Sequence, residues 1–348
     1  MTVTWAPSWP LIATKNLELR KRRGLIIVVA LLTVGPTVLI LGLRLIFHAV
    51  DPASYGPAGT PGLFQTLCNL MAEFGFLSAA ALGASAGTTD LSDGMFRHLV
   101  ITGRSRLALY LARIPAGLAI LLPLAAVAFT ALCLVTSYAG VPQPTSVNVG
   151  SVSAPAHFDQ AELQSWLLQH PQQAASALPL GSATGAAQIR SAIDQNIASL
   201  YQDYSANEIA GSNPAANEMA KIGLWLELEV GIGFMVGLGL GSLTGQRTLT
   251  TITLIGLEII VTPILAGHVI PYFLDGQRLV VGLAMDQLRP AALAPGTGPG
   301  GGPGRVLFGG RGALGIPPMP TWAMISVIVG WIVGWSVIGA WRMITRDA

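Results

Sequence analysis

Four carboxylates, Glu73, Glu227, Glu229 and Glu258, interrupt otherwise apolar stretches, where an ionisable side chain is costly and is a functional candidate by default. They could line a path for an amphiphilic or cationic substrate, relay protons or ions, or simply pair locally with Arg44, Lys221 or polar neighbours. Glu258 lies nine residues into its stretch, roughly 13 Å at 1.5 Å per residue, which puts it near a membrane midplane. Glu73 and Glu227 are expected nearer the outer side. Other chemistry is sparse. Five histidines, His48, His98, His157, His170 and His268, stand singly, without the paired spacing that holds a metal. Of the three lysines, Lys15, Lys21 and Lys221, none follows the G-x-x-x-x-G of a nucleotide-binding loop, and no G-x-S-x-G elbow occurs. Hence no catalytic, metal or cofactor-binding set is expected in this chain. Two cysteines, Cys68 and Cys133, exclude a disulfide framework or cysteine-rich metal module; near the outer ends of their spans they could pair or stay as free thiols.

The carboxylates must be carried by membrane helices. The 348 residues are 52% hydrophobic and 10% charged, with a mean hydropathy of +0.60, against about 25% charged in soluble domains. A spanning helix needs about 20 apolar residues, and six stretches qualify: Leu25 to Phe47, Thr66 to Gly87, Leu107 to Tyr138, Ile222 to Leu243, Leu249 to Leu274 and Thr321 to Trp341. The first is too long for a signal peptide, and no small-residue cleavage site follows it. Placing the N-terminus in the cytoplasm puts twelve of the nineteen basic residues on that side and none on the short loop His48 to Gln65, as the positive-inside rule requires. The expected fold is therefore an all-α polytopic membrane protein with six transmembrane helices and both termini cytoplasmic. Its Arg-rich, Ala- and Gly-rich composition points to a bacterial inner membrane.

The connecting segments divide the chain further. Residues 1–24 form an amphipathic lead-in, with Trp5, Trp9, Leu11 and Ile12 before a basic run. Residues 25–138 carry helices 1–3 and the cytoplasmic loop 88–106. Residues 139–221 read as a small external helical cap. There Asp159 and Glu162 form a capping box for a short helix with Leu163, Trp166 and Leu167. Ile189, Ile193, Ile197, Leu200, Tyr201 and Tyr204 make one apolar helical stripe, and Asn213-Pro214 looks like the start of the helix leading into span four. Residues 222–274 hold helices 4 and 5, with Gly231, Gly233, Gly237, Gly239, Gly241 and Gly245 permitting close helix packing within the chain or across a dimer. Residues 275–320 combine an amphipathic segment, Gly276 to Arg289, suited to the membrane surface, with the flexible Gly/Pro run 295–304. Residues 321–348 are helix 6 and a cytoplasmic tail.

The loop 88–106 is the most informative segment. Asp90 and Asp93 are placed to cap a helix start, and Gly94 to break it. Met95, Phe96, Leu99 and Val100 then form an apolar ridge flanked by Arg97 and His98. Such a ridge suits either a groove on another protein or the lipid interface.

This segment resembles the signature of the ABC-2 type permease family: an acidic residue, a glycine, an apolar stretch, then a small-residue turn with arginine leading into the third span. The matching positions are Asp90, Gly94, Phe96, Leu99, Gly103, Arg104 and Arg106. The family more often has Glu at the acidic position and Pro in the turn, and its compact members lack the insertion of about 80 residues between spans three and four. The resemblance implies a dimerising half-transporter, paired with a second permease copy or a homologous permease and surrounded by membrane lipids. Separate ABC ATPase subunits would bind ATP and Mg. Asp90, Asp93, Met95, Phe96, Arg97 and His98 would be the coupling element. No nucleic-acid partner is expected. An ion-coupled transporter or channel using the intramembrane Glu residues, and a membrane anchor with a partner-binding cap, are the alternatives.

Overall fold

The computed structural model describes residues 6–92, 105–140, 144–149, 152–171, 173–174, 186–257, 273–293 and 319–345. They are mostly helical. Four helices are long and apolar enough to cross a membrane, or five if the bent first pair forms one span: α4 (Pro61–Ser92), α5 (Arg106–Tyr138), α8 (Ala216–Thr244) and α12 (Thr321–Thr345). Of the expected fifth span the first half is described, as α9 (Arg247–Gly256), and residues 258–272 lie outside the described set. Large apolar side chains remain exposed on these helices, among them Ile27, Leu31, Leu39, Val127, Val329 and Val337. Apolar surface of that extent is foreign to a soluble monomer and suits hydrocarbon, so the chain is a multi-pass membrane protein.

The first span is not one straight helix. It consists of α2 (Arg23–Thr33) and α3 (Gly35–Val50), bent by 48° about Val34. Pro36 is the physical cause, since it has no N–H to offer the Leu32 carbonyl and its ring crowds the preceding turn. The break is also pinned from outside: the Thr33 hydroxyl, which donates to the Val29 carbonyl, lies 2.8 Å from the Ser78 hydroxyl of α4.

The bundle is organised around α4 and α8, the most extensive helix pair. Gly233, Gly237 and Gly241, spaced one turn apart, face the backbones of Phe76, Ala80 and Ala84. Such a stripe of small residues lets two backbones approach closely, which strengthens van der Waals packing where no water drives association. The glycine stripe therefore packs within the chain. Gly239 faces Trp335 of α12, and Gly245 caps α8 at φ 69°, a left-handed conformation that favours glycine.

The segment between spans five and six departs from expectation. Helix α10 (Leu274–Arg278) leads into α11 (Val281–Gln287), which packs against α12. Ala284 and Met285 are at most 2% exposed and join the core formed by Phe64, Leu67, Met71, Trp225 and Met324. The backbone of the segment is fastened by hydrogen bonds from Trp225 Nε1 to the Met285 carbonyl (3.0 Å), from Trp331 Nε1 to the Leu279 carbonyl (2.7 Å) and from Gln65 Nε2 to the Ala292 carbonyl (3.1 Å). Protein thus covers much of the apolar face that looked lipid-directed, while Leu279 stays 62% exposed.

The insertion between spans three and four has its own core and is not purely helical. Strands β1 (Ser146–Val149) and β2 (Val152–Pro155) pair antiparallel, with Val147 opposite Ala154 and Val149 opposite Val152. Helix α6 (Gln160–Gln169) starts at the expected capping box, with both reciprocal bonds present between Asp159 and Glu162. The expected stripe lies on α7 (Ala186–Gly211), where Ile189, Ile193, Leu200 and Tyr204 are buried against Val147, Val149, Leu163 and Leu167. Asn213-Pro214 does not start the next helix; α8 begins at Ala216 with Ala215 as N-cap.

Tyr204 ties the parts of the cap together, donating to the Pro155 carbonyl (2.8 Å) and accepting from the Phe158 N–H (3.0 Å). Glu208 accepts from the backbone N–H of His157, which sits at φ 66°. Tyr204→Phe should cost about 1–3 kcal/mol of cap stability by orphaning both backbone groups, read as an earlier thermal transition. Burial pushes the Tyr204 phenol above its usual range. The stability linked to its neutral form is then fully present below pH about 10 and lost as pH rises towards the shifted value. An alkaline melting series should show this loss in the native cap and not in Tyr204→Phe.

Candidate functional site: the feet of the loop between spans two and three

The loop named by the sequence motif hangs between the end of α4 and the start of α5. Its crown, residues 93–104, lies outside the described residues, and with it Asp93, Met95, Phe96, Arg97 and His98. Asp90 is described along the backbone only and corrects one expectation: it sits in the last turns of α4 rather than at a helix start. The helix continues past Gly87 because the Thr88 and Thr89 hydroxyls fold back onto the Ala84 and Ser85 carbonyls at 2.9 and 2.6 Å, leaving no polar side chain to break the ladder. On the other side, Ser105 caps α5 by accepting from the Ala108 N–H.

These two feet are held by a buried polar junction. Arg113, two turns into α5 and 2% exposed, donates through Nη1 to the Gly87 carbonyl at 3.1 Å. Helix α1 (Trp9–Lys21) lies across them, with Leu11 buried against Ala108, Leu109 and Ala112. Its Asn16 side chain donates to the Ala116 carbonyl at 2.7 Å. The lead-in is therefore docked on the third span. Lys15, 7% exposed, pairs with Glu18 at 3.0 Å, and both line a small cleft with Leu19, Ala86, Thr89 and Arg113. Lys15, Glu18 and Arg113 bring charged groups of both signs to this cleft. Arg106 also reaches across to the Ile344 carbonyl at 2.9 Å, joining α5 to the end of α12. The polar contacts of α1, α4, α5 and α12 thus converge near the ends of the loop.

The intramembrane carboxylates fall elsewhere. Glu73 and Glu227 are partly buried in the halves of α4 and α8 nearer the cap, and Glu229 is 5% exposed. Lys221, one expected local partner, pairs instead with Glu218 at 2.7 Å. Glu258 lies outside the described residues. Cys68 and Cys133 are free thiols. Among the described residues no group of three or more His, Cys, Asp or Glu could hold a metal ion.

Lys15 and Arg113 enter the sequence analysis only among the twelve basic residues counted on the cytoplasmic side, and Glu18 is not singled out there. A lone arginine seven residues inside an apolar helix was the available signal, because such a charge must find a partner. Comparison of the chain with known protein families, with curated proteins and with solved structures finds no match.

Proposed function

We propose that the chain is the membrane-spanning permease subunit of an ATP-driven ABC exporter of the ABC-2 type. In this reading it moves an amphiphilic, drug-like or lipid-like substrate by alternating access, powered by separate ATPase subunits that bind ATP and Mg. A bacterial cytoplasmic membrane is its setting, with the basic end of the bundle inside and a second permease copy beside it. The observation that supports this reading is the convergence of Arg113, Lys15, Glu18 and Thr89 on the two feet of the loop. A loop that receives force from a partner must be stiffly joined to the spans it drives, and buried charge-assisted contacts supply that stiffness.

The test is a mild-detergent pull-down of the tagged chain from its native host, followed by an ATPase assay of the eluate. A co-purifying ATPase should be present with the native chain and reduced at least about tenfold by Phe96→Asp, since a buried, unpaired charge in an interface costs several kcal/mol. A chain that purifies without any ATPase would overturn the exporter reading and favour ion coupling through the buried carboxylates.

A further inference from the structure

Arg289 is a charged side chain in the wrong place for a surface loop. It follows α11, its side chain is 9% exposed, and it enters the bundle between α4 and α8. Its guanidinium lies 5.4 Å from the centroid of the Trp225 ring, within cation–π range. One nitrogen donates to Asn69 Oδ1, while Asp286 stands 3.5 Å away on the same segment. Its Nε is buried without a hydrogen-bond partner among the described residues, so the fit is incomplete. Four residues beyond Asn69 is Glu73, and four beyond Trp225 is Glu229. Side chains four apart share a helix face, so two carboxylates continue the same wall one turn deeper, Glu229 at 5% exposure.

We infer that this constellation is a binding site for a hydrophobic organic cation, and that the Arg289 side chain is its tethered occupant. An indole face, an amide oxygen and deeper carboxylates are the groups that recognise an ammonium, guanidinium or phosphonium in a low-dielectric setting. The wall does not depend on the arginine. The segment's backbone is held by Trp225 and Gln65, and Gln287 Oε1 accepts from the Met319 N–H at 2.9 Å, so the side chain can leave alone. A tethered occupant competes at a high effective concentration, keeping the site closed to weak ligands.

This deepens the exporter reading by naming its substrate class, yet its test requires no ATPase. Binding of radiolabelled tetraphenylphosphonium to the purified full-length chain in nanodiscs is measured by equilibrium dialysis. Arg289→Ala should bind at least about tenfold tighter than the native chain, and adding Trp225→Leu or Glu229→Gln should abolish the gain. Arg289→Gln, which keeps a donor for Asn69, serves the same test if the alanine variant does not fold. Unchanged affinity in the folded variant, or an equal gain for neutral triphenylphosphine oxide, overturns the inference: the first makes Arg289 a structural latch, the second makes the vacated space a mere apolar hole. Failure to recover an ATPase would leave this result standing, and a negative binding result would leave the ATPase question as it was.

Discussion

Gly237→Val should leave little or no folded protein, while Gly231→Val, six residues earlier on the same helix, should be nearly silent. A Cβ at Gly237 would run into the carbonyl group and Cα of Ala80, all backbone atoms that no rotamer change can move. The two central helices would have to separate, opening the contacts of Gly233 with Phe76 and of Gly241 with Ala84 on either side. Overpacking a core ordinarily costs about 1–3 kcal/mol, and a clash with backbone belongs at or beyond the top of that range. Native stabilities are of order 5–15 kcal/mol, so a valine adding two methyls to the clash removes a large part. At Gly231 an added Cβ meets nothing within 4 Å. Fluorescence-detected size-exclusion of heated membrane extracts reads both variants. Ala80→Gly should fail to rescue Gly237→Val, since the obstructing atoms remain. A rescue would show that the helices are held apart by side chains after all.

Arg113→Ala should produce the next largest loss, and one that joins stability to function. The substitution removes a buried guanidinium with its bond to the Gly87 carbonyl, and leaves a void beside Thr89 and Leu19. Losing a hydrogen bond from a charged donor costs about 1.5–3 kcal/mol, and the lost volume adds to it, for a fall in melting temperature of roughly 5–10 °C. Arg113→Lys keeps the charge but loses the planar fork, and should fall between. Arg106→Ala removes a partly exposed side chain together with its contact to the Ile344 carbonyl and should change stability by less than Arg113→Ala. If the junction transmits force from the loop, ATPase activity of the purified complex in Arg113→Lys should no longer respond to substrate although assembly persists. A variant with native melting and native stimulation would remove Arg113 from both roles.

Local features of the fold were legible because their causes are local. The Asp159 and Glu162 capping box, the Ile189 to Tyr204 stripe and the small-residue face of α8 each follow from spacing along one helix. Short-range breaks were harder. The hairpin strands have only four residues each, and the alternation of Val147, Val149, Val152 and Ala154 is too brief to outweigh the helical surroundings. Pro36, buried in an otherwise apolar run, signalled the bend at Val34 but was hidden by overall hydropathy. What could not be read was partnership across the chain. Arg289 is 220 residues from Asn69, so the segment Gly276 to Arg289 showed an amphipathic pattern without showing that protein packs over Ala284 and Met285. Arg113 was visible as a charge, but the carbonyl it reaches is set by how α4 lies on α5. Asp90 was read as a helix start because acidic residues favour N-termini, whereas the threonines before it let the helix run on.

The cap leaves and re-enters the bundle at nearly one point. Gly59 donates to the Ala139 carbonyl at 3.0 Å and bridges to Gly140, whose own surroundings include the Asn213 side chain; further out, Gly211 lies next to Pro144. A domain whose first and last residues adjoin can be lifted out and another set in its place without spreading the scaffold, which is why insertions succeed at such sites. For this protein the pair of stems at Gly140 and Asn213 makes a natural graft point. A short glycine linker could close it to leave the bare bundle. A rigid domain with closely spaced ends could be seated there as a fiducial for imaging a membrane protein otherwise too small to align.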